Sequence, residues 1–369
     1  MRDTDRYRGC LIGGAVGDAL GYAVEFWDEG QIFSRYGEKG ITEYAMVDGA
    51  ARISDDTQMT LFTANGLLIG TTLSLTQGHK EPYRSCIAAC YRDWLRTQAA
   101  EEFGFEPPEI SWLNNLPEMN HSRAPGNTCI RSLLRESLGS VADPINNSKG
   151  CGGVMRVAPI GLYFDGKHCA PEQIDMLGAE AAALTHGHEL GYIPAAMLVH
   201  IVQLLAHNAD ATVLQAVEEA KAAAVRLFSQ TEHLGELLAL IDRAVSLAAD
   251  SGADDPDNIR KLGQGWVADE ALAIAVYCSV RYDSDFEKAV IAAVNHGGDS
   301  DSTGAVTGNI LGAHLGIKAI PEKFLTGLEL RDTILEIADD LFCGGEISEE
   351  RVRRDEVWSR KYITHTYPN

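Results

Sequence analysis

Positive charge is scarce in this sequence. The 53 aspartates and glutamates outnumber the 31 lysines and arginines, which leaves a formal net charge of −22 at pH 7. Nucleic acids and anionic membrane surfaces are bound through basic patches, so the charge balance argues against both as partners. The simplest interpretation of the acidic excess is a soluble cytosolic protein whose copies repel one another.

Paired cysteines and long apolar runs are also lacking. The eight cysteines are scattered, and only Cys86 and Cys90 share a helical spacing, with no second ligand pair nearby. A zinc site or a disulfide framework is therefore not expected, which favours a reducing cytoplasm. No signal-peptide pattern opens the chain. The apolar run from Cys10 to Val24 contains Asp18 and is too short to span a bilayer.

Signals for β-strands are almost as rare. Runs of β-branched residues bounded by turn residues are nearly absent, whereas apolar residues recur at helical spacing through most of the chain. Loops are expected at 104–126, 140–153 and 250–265. None has the length or low complexity of a flexible linker, so a single all-α domain over residues 1–369 is predicted. Its helices are predicted at 7–24, 54–69, 83–98, 127–138, 172–186, 189–207, 211–228, 232–249, 268–281, 285–295, 301–315 and 329–342.

Glycine recurs at every fourth position in two of these helices, which places each set on one helix face. A glycine inside a helix is about 1 kcal/mol less favourable than alanine, so both sets need a compensating interaction. We expect close packing of backbones, as between small residues of membrane helices, and the two ridges could pack against each other. The glycine ridges are Gly9, Gly13, Gly17 and Gly21 in the first helix and Gly304, Gly308, Gly312 and Gly316 in the later one.

Two short acidic motifs each stand at the start of a predicted helix. Asp55 and Asp56 follow Ser54, and Asp299 and Asp301 follow two glycines. In the simpler interpretation each motif caps its own helix, because negative charge and side-chain acceptors are favourable there.

A metal site is the alternative interpretation of the acidic motifs. If the four aspartates meet Glu25, which follows the first glycine ridge, up to five negative charges share one place. Their repulsion would raise several of their pKa values unless cations compensate for it. Two divalent ions would do so, and a ligand set made only of oxygen favours Mg²⁺, Mn²⁺ or Ca²⁺ over zinc. Spacing does not establish that motifs so far apart in the chain converge.

A glycine-rich segment, residues 146–156, lies between the acidic motifs. The backbone N–H groups of its three glycines could approach an anion. Its spacing is that of neither a P-loop nor a dinucleotide-binding turn, so a flexible turn explains it as well. Arg156 at its end could be structural or a ligand group. The later Thr185–His188 carries two histidines two residues apart, which would not share a helix face and so make a poor metal site.

Four motifs, in this order, resemble the ADP-ribosylglycohydrolase family, typified by dinitrogenase-reductase-activating glycohydrolase and the ADP-ribosylarginine hydrolases. The resemblance is strongest over residues 7–318. It implies a compact single-domain orthogonal helical bundle with a central binuclear metal cleft. It also implies cleavage of the glycosidic bond that joins ADP-ribose to a protein side chain or a small molecule. The motifs are Gly9–Gly21 followed by Glu25, Ser54–Thr57, Gly150–Arg156 and Gly297–Ser302.

The resemblance implies a role for each motif. Two divalent cations are implied as cofactors, with Mg²⁺ the first expectation and Mn²⁺ the alternative. Asp55 or Asp56 is expected to be the base that activates water, with Glu25, which matches an acidic residue near the scissile bond, as the alternative catalytic residue. Where many relatives have threonine, this chain has Ser54 and Ser302, which retain the hydroxyl ligand. The implied metal ligands are Ser54, Asp55, Asp56, Asp299, Asp301 and Ser302, and the implied substrate-binding residues are Gly150, Cys151, Gly152, Gly153, Val154, Met155 and His186.

The predicted function is removal of ADP-ribose from modified protein side chains, with ADP-ribosylarginine as the first substrate. ADP-ribosylserine and O-acetyl-ADP-ribose are alternative substrates, and a non-catalytic ADP-ribose-binding or toxin-blocking protein is the alternative class. The expected partner is an ADP-ribosylated protein. The chain could act as an immunity factor, antitoxin or regulator that opposes a cognate ADP-ribosyltransferase or toxin. The loop 104–126, with Trp112, Glu118 and His121, is the candidate for contacting the substrate beyond the scissile bond.

A phosphotransferase of the haloacid-dehalogenase type is a competing interpretation, because Asp299-x-Asp301-x-Thr303 resembles its nucleophile motif. That class requires a hydrophobic strand directly before the first aspartate. Here Asn295–Gly298 precedes it and helices are predicted on both sides, so this interpretation is disfavoured.

Overall fold

Helices provide nearly all the regular secondary structure of this computed structural model. Among the described residues, β-structure is limited to isolated bridges at Val47–Ala50, Ala51–Leu328 and Gly150–Val267. The predicted all-α class is therefore confirmed. The structure describes residues 2–80, 82–98, 106, 108–166, 169–250 and 252–367.

Long helices form the body of the fold, and short ones occupy the connections between them. Side-chain oxygens of Ser54 and Asp299 cap the helices that follow them, as their residue types favour. The α-helices are α1 (Thr4–Tyr22), α2 (Glu29–Tyr36), α3 (Asp55–Gln77), α4 (Tyr83–Thr97), α5 (Asn127–Leu133), α6 (Ala158–Tyr163), α7 (Pro171–Ala183), α8 (Glu189–His207), α9 (Val213–Phe228), α10 (Leu234–Ala249), α11 (Asp255–Ile259), α12 (Ala268–Arg281), α13 (Phe286–Val294), α14 (Ser300–Leu315), α15 (Glu322–Leu325), α16 (Arg331–Gly344), α17 (Glu349–Arg354) and α18 (Glu356–Tyr362).

The long helices agree with the predicted ones, and most of the short helices lie outside the predicted set. α8 and α12 begin and end at the predicted residues, while α3 continues past its predicted end to Gln77 and α5 stops early, at Leu133. The unpredicted helices α2, α6, α11, α15, α17 and α18 are too short to show a clear helical period. Residues 104, 105, 107 and 251 of the predicted loops lie outside the described residues.

A helix precedes the second acidic motif. α13 ends at Val294 and a turn leads from it into α14. The hydrophobic strand that a haloacid-dehalogenase site requires before its first aspartate is therefore replaced by a helix, which excludes that interpretation.

The two glycine ridges pack directly against each other. α1 and α14 run antiparallel, so that Gly9 faces Gly312 and Gly17 faces Gly304. A Cβ atom on any of these four residues would come within 3.0 Å of backbone atoms on the opposite helix, closer than real Cβ atoms approach. The absence of side chains lets the two backbones touch, which compensates for the low helix propensity of glycine. The predicted packing of ridge against ridge is confirmed.

One side chain crosses this interface. Asn309 on α14 lies over Gly14 on α1, and its Nδ2 donates a hydrogen bond to the carbonyl oxygen of Cys10 at 2.8 Å. At the far end of the ridges Gly21 faces Ser300. The end of α1 therefore meets the start of α14, which brings the residues after α1 to the second acidic motif.

α8 lies in the core of the remaining helices. By length and composition it could cross a membrane, but 83% of its most apolar stretch is buried inside the protein. It packs against α6, α7, α9 and α12, which accounts for its apolar composition as that of a core helix.

Alanine substitution tests the backbone packing of the ridges. Gly308→Ala places a methyl group against the backbone of Gly13 and Gly14, so we expect the free energy of unfolding to fall by about 1–3 kcal/mol, the usual effect of overpacking. The matched control is Gly235→Ala in α10, where a Cβ meets no atom within 4 Å and alanine favours the helix by about 1 kcal/mol. Chemical denaturation followed by circular dichroism measures both. A Gly308→Ala protein as stable as the wild type would contradict this account.

Candidate functional site

One buried carboxylate ties the start of α3 to α1. Asp18 accepts hydrogen bonds from the N–H of Ser54, at 2.9 and 3.1 Å to its two oxygens, and from the N–H of Thr57 at 3.0 Å. The Thr57 hydroxyl also donates to Asp18. A helix start leaves such N–H groups without partners, so Asp18 satisfies them and places the first acidic motif against the glycine helix.

Glu329 holds the chain that leads into α3. Its carboxylate accepts hydrogen bonds from Arg52 at 2.6 Å, from Arg123 at 2.8 Å and from the N–H of Ile53 at 3.1 Å. The Glu329 side chain is only 3% exposed, and these partners compensate for the burial of its charge. The carbonyl of Arg123 in turn accepts from the N–H of Asp55 at 3.0 Å. Glu329 and Arg123 therefore position Asp55.

The two aspartates of α3 differ in their hydrogen bonds. Asp55 Oδ2 accepts from the N–H of Gly126 at 3.2 Å. The N–H of Asp56 donates to Ser54 Oγ at 3.2 Å, whereas its Oδ2 is buried and has no hydrogen-bond partner among the described residues. A buried acceptor without a partner is unfavourable, so this oxygen is available to a ligand.

The second acidic motif stands at the start of α14. Asp299 Oδ1 accepts from the N–H of Ser302 at 3.4 Å, and Cys151 Sγ lies 2.7 Å from Asp299 Oδ2. Asp301 Oδ1 accepts from the same N–H at 3.0 Å. The side chain of Ser54 also hydrogen bonds to Asp301, and this contact joins the starts of α3 and α14.

The structure brings the predicted carboxylates together. Oxygens of Glu25, Asp299 and Asp301 all lie within 4.8 Å of one another. The aspartates on α1 and α3, namely Asp18, Asp55 and Asp56, are near enough to be repelled by the carboxylate on α14 at residue 301. None of these side chains belongs to a residue more than 7% exposed. The acidic cluster consists of Asp18, Glu25, Asp55, Asp56, Asp299 and Asp301.

Burial and mutual repulsion raise the pKa values across the acidic cluster. Burial raises the pKa of Asp18 to about 7, with repulsion from Asp301 as the second cause. The pKa of Glu25 rises to about 10, by burial first and then by repulsion within the cluster. Burial followed by repulsion also holds the pKa values of Asp55 and Asp56 well above their ordinary range. A cluster in this state binds protons or cations tightly.

The donor atoms of the acidic cluster fit divalent cations. Glu25 Oε2 and Asp56 Oδ2 are both buried, and neither has a hydrogen-bond partner in the part of the chain that the structure describes. Carboxylate and hydroxyl oxygens are the ligands that hard cations prefer. The predicted ligands Ser54, Asp55 and Asp56 stand at the start of α3 and Asp299, Asp301 and Ser302 at the start of α14. Their assignment as metal ligands stays a prediction.

The glycine-rich segment lies beside the acidic cluster, and much of its backbone is engaged in its own turn. Cys151–Gly153 forms a 3-10 turn whose first N–H donates to the carbonyl of Trp266 at 3.2 Å. The first carbonyl of this turn accepts from the N–H groups of Val154 and Met155, at 2.9 and 3.2 Å. Both of these side chains are buried. Of the predicted substrate-binding residues in the segment, only Gly150 and the cysteine are partly exposed.

His186 packs against the glycine-rich segment. A Cβ atom on Gly150 or Gly152 would lie 3.3 or 3.1 Å from its ring, so the glycines make room for it. Its Nδ1 lies 2.8 Å from the Thr185 hydroxyl. Burial, followed by repulsion from Arg156, lowers the pKa of His186 to about 3. The predicted substrate-binding histidine is therefore a neutral, buried neighbour of the segment.

Arg156 has a structural position. Its guanidinium is fully buried, donates to the carbonyl of Ala181 at 3.0 Å and to the hydroxyl of Thr185 at 2.7 Å, and lies 4.1 Å from the centre of the Tyr91 ring. These contacts are typical of a core arginine. Of the two interpretations that the sequence leaves open for Arg156, the structural one is confirmed.

The loop predicted to contact the substrate beyond the scissile bond has some of its side chains in the core and others on the surface. Trp112 is 1% exposed and packs edge-on against Tyr367, with 5.3 Å between ring centroids. Trp112 is thus a core residue and not an exposed contact. Glu118 and His121 are exposed. What the loop gives the site is backbone, namely the carbonyl of residue 123 and the N–H of residue 126 that position Asp55.

The acidic cluster is largely buried, and its most exposed member, Glu25, is 7% exposed. A space of about 10 Å³ beside the cluster is lined by Asp56, Thr57 and Thr60, with residues of α1 and α14. A larger cavity, of about 970 Å³, is instead lined by residues of α2, α11 and α13. The predicted binuclear cleft stays a prediction.

Two residues that position the site are missed by sequence reasoning. Asp18 is a lone carboxylate in an apolar, glycine-rich helix. A carboxylate buried in such a helix requires hydrogen-bond partners, so its position in the sequence could have indicated this role. Glu329 lies outside every motif, and nothing in its local sequence marks it.

Comparison with family models assigns the chain to a known class of hydrolases. The model of the ADP-ribosylglycohydrolase family matches residues 1–350, so the chain belongs to this family. Membership supports hydrolytic removal of ADP-ribose and dependence on divalent cations.

Individual relatives extend the match over most of the chain. An uncharacterised protein of Archaeoglobus fulgidus is 28% identical over 350 residues, covering 92% of this chain and 96% of the relative. ADP-ribosylhydrolase ARH3 of Mus musculus is 26% identical over 369 residues, covering 89% and 88%. The ADP-ribosyl-dinitrogen reductase glycohydrolase of Rhodospirillum rubrum is 26% identical over 335 residues, covering 89% and 91%.

A solved structure supports the shared fold. An ADP-ribosylglycohydrolase-related protein complex has a TM-score of 0.59 at 24% identity, covering 93% of this chain and 98% of that chain. At this identity the similarity concerns the fold alone.

The raised pKa values predict that stability depends on pH when divalent cations are removed. The pKa values of Asp18 and Glu25 rise from ordinary values of 3.8 and 4.5 to about 7 and about 10. Between these limits the folded protein binds more protons than the unfolded chain. The free energy of unfolding in EDTA is therefore expected to fall as the pH rises from about 4 towards about 10.

Mg²⁺ should reverse this loss. Because cations compete with fewer protons at higher pH, Mg²⁺ is expected to raise Tm more at about pH 8.5 than at about pH 6. Thermal unfolding at both pH values measures the difference. Asp56→Asn should reduce the response, whereas Asp210→Asn, on an exposed turn, should leave it intact. An unchanged Tm with Mg²⁺ at both pH values would contradict a cation site.

Proposed function

We propose that this chain is a metal-dependent hydrolase that removes ADP-ribose from modified protein side chains, with ADP-ribosylarginine as its main substrate. The convergence of Glu25, Asp299 and Asp301 within 4.8 Å carries the proposal. The unpartnered oxygen of Asp56 supports it. Membership of the ADP-ribosylglycohydrolase family supplies the reaction class.

The two helix starts would hold two divalent cations, Mg²⁺ in the first place and Mn²⁺ as the alternative. Ser54, Asp55 and Asp56 would contribute from α3, and Asp299, Asp301 and Ser302 from α14. When bound, the cations would supply Lewis-acid polarisation and orientation of the ribose hydroxyls. Asp18 would keep the two ligand sets in register, because it ties α3 to the helix that packs on α14.

The carboxylates would act on the glycosidic bond and on water. Cleavage of this bond passes through an oxocarbenium-like state, which nearby negative charge stabilises. One carboxylate must also accept a proton from the attacking water. Asp55 already accepts a backbone N–H, whereas Asp56 Oδ2 and Glu25 Oε2 have no partner among the described residues. Asp56 is therefore the favoured base, and Glu25 the alternative.

The glycine-rich segment and His186 would bind the rest of ADP-ribose. Gly150 and Cys151 are its partly exposed members, so we assign the first contacts to them. Gly152, Gly153, Val154 and Met155 would support the turn behind those contacts. His186, neutral and packed on the glycines, would shape this surface without adding charge.

An arginine linkage is favoured by charge. A protonated guanidine is a cation beside the reacting bond, and the acidic cluster would attract it. A serine linkage or an acetyl ester offers no such charge, and these substrates are the alternatives.

Release of ADP-ribose from matched substrates tests the proposal. Proteins carrying ADP-ribosylarginine or ADP-ribosylserine are incubated with the enzyme in Mg²⁺ or in EDTA, and free ADP-ribose is measured. We expect faster release from arginine, loss of release in EDTA, and a fall of at least about 100-fold for Asp56→Asn. Asp210→Asn is the control carboxylate. Release from neither substrate would refute the hydrolase, and release unaffected by EDTA would refute the metal dependence.

A role against an ADP-ribosylating toxin or a cognate ADP-ribosyltransferase would follow from this activity. Asp55→Ala is expected to abolish protection of cells that express such a transferase, because the reversal reaction is lost. Survival of those cells is the measurement. Protection by the Asp55→Ala protein at equal expression would show that steric blocking is sufficient.

A further inference from the structure

Two exposed aromatic rings stack beside the acidic cluster. Phe26 directly follows Glu25 and is 69% exposed, and Trp266 is 39% exposed. Their ring centroids lie 6.0 Å apart, with an angle of 20° between the ring planes. Isolated exposed apolar residues are ordinary, but a stacked pair next to a buried charged site offers a flat, electron-rich face to a ligand. We call these residues the aromatic pair.

Trp266 is held at this place from two sides. Its carbonyl accepts from the N–H of Cys151 at 3.2 Å, and the carbonyl of Gln264 accepts from the N–H of Asp299 at 2.8 Å. Gly265, between them, lies so close that a Cβ atom there would be 3.3 Å from Asp299 Cβ. The backbone at and just before Trp266 is therefore anchored to Cys151 and Asp299.

Phe26 is held in the turn that follows α1. The N–H of Val24 donates to the carbonyl of Gly21 at 2.8 Å, and the N–H of Trp27 donates to the carbonyl of Val24 at 2.9 Å. This turn directs the Glu25 carboxylate into the acidic cluster while the next side chain remains exposed. The aromatic pair thus connects two segments on their solvent side. One carries Glu25, and the other contacts Asp299 through its backbone.

We propose that the aromatic pair stacks the guanidinium group of an ADP-ribosylated arginine and thereby determines the preference for that linkage. The inference rests on the proposed function. A guanidinium is planar and cationic, so it matches the face of an aromatic ring in both shape and charge. The negative charge of the acidic cluster adds to the attraction. A serine oxygen offers neither a plane nor a charge.

The position of the aromatic pair favours the guanidinium over the adenine of the same substrate. The leaving group is bonded to the carbon that reacts, whereas the adenine is separated from that carbon by two riboses and a diphosphate. Phe26 is one residue from Glu25, and Trp266 follows the glycine that packs on Asp299. Because both residues adjoin the segments that carry Glu25 and Asp299, the proposal places their rings on the leaving-group side of the bond.

A change in substrate preference is the main test. Two peptides of one sequence, carrying ADP-ribose on arginine or on serine, are compared by kcat/KM. Phe26→Leu and Trp266→Leu are expected to lower the arginine-to-serine ratio about 3- to 30-fold, mainly through KM for the arginine peptide. Phe26→Tyr and Trp266→Phe retain a ring and should retain the ratio. Leu214→Ala, an exposed apolar site on α9, is the control.

A binding measurement separates this inference from the proposed function. Agmatine, a small guanidinium compound, is titrated into the protein, and the fluorescence change of Trp266 is compared with that of a Trp266→Phe protein. We expect a saturable change with agmatine that is lost in Trp266→Phe, and a much weaker one with butylamine, whose cation is not planar. Thermal unfolding verifies that each variant is folded.

The outcomes of these experiments distinguish failure of the proposed function from failure of the aromatic pair as a specificity element. Lack of ADP-ribose release from either peptide, with agmatine binding intact, would refute the proposed function and leave the guanidinium site standing. Normal release with an unchanged ratio in the leucine variants would overturn the aromatic pair as a specificity element. An equal loss for both peptides, accompanied by weaker binding of free ADP-ribose, would assign the rings to adenine and also overturn it.

Discussion

Contact between two helix backbones is the constraint on which the site depends. Because Gly13 and Gly17 carry no side chains, α1 approaches α14 closely enough for the end of one helix to meet the start of the other. Glu25 follows the first helix and Asp299 caps the second, so this contact is what brings them together. Asp18 then attaches the start of α3 to the same helix. A single methyl group in the ridge would act on all three elements at once.

The acidic cluster is locally destabilising, and the rest of the fold has to compensate for it. Six buried carboxylates repel one another, and two of their oxygens have no partner in the described residues. The starts of α3 and α14 offset part of this repulsion, since helix N-termini carry partial positive charge. The conflict is typical of a site whose geometry serves a ligand more than folding. The family to which the chain belongs is consistent with such a site.

The sequence predicts the elements well and their assembly less well. α8 and α12 are predicted to the residue because their apolar periods are long, whereas α11 and α15 are too short to show one. The glycine ridges predict close backbone packing, because such contact offsets glycine's cost in a helix, and packing of ridge against ridge is one of the arrangements they allow. Convergence of the acidic motifs cannot be read from spacing, since it depends on packing between distant segments. Trp112 is the converse case, because it lies in the loop predicted to contact the substrate and its side chain is nevertheless in the core.

A ridge built on a four-residue repeat has more than one possible alignment. Sliding α14 by one repeat would move it about 6 Å and still oppose glycine to glycine along much of the interface, while separating Glu25 from Asp301. Asn309 breaks that degeneracy. Its amide fits over Gly14 and reaches the Cys10 carbonyl, and one repeat further in either direction it would face the side chain of Cys10 or of Asp18. The glycines make the close approach of the helices possible, and the Asn309 amide selects the one alignment in which the carboxylates meet.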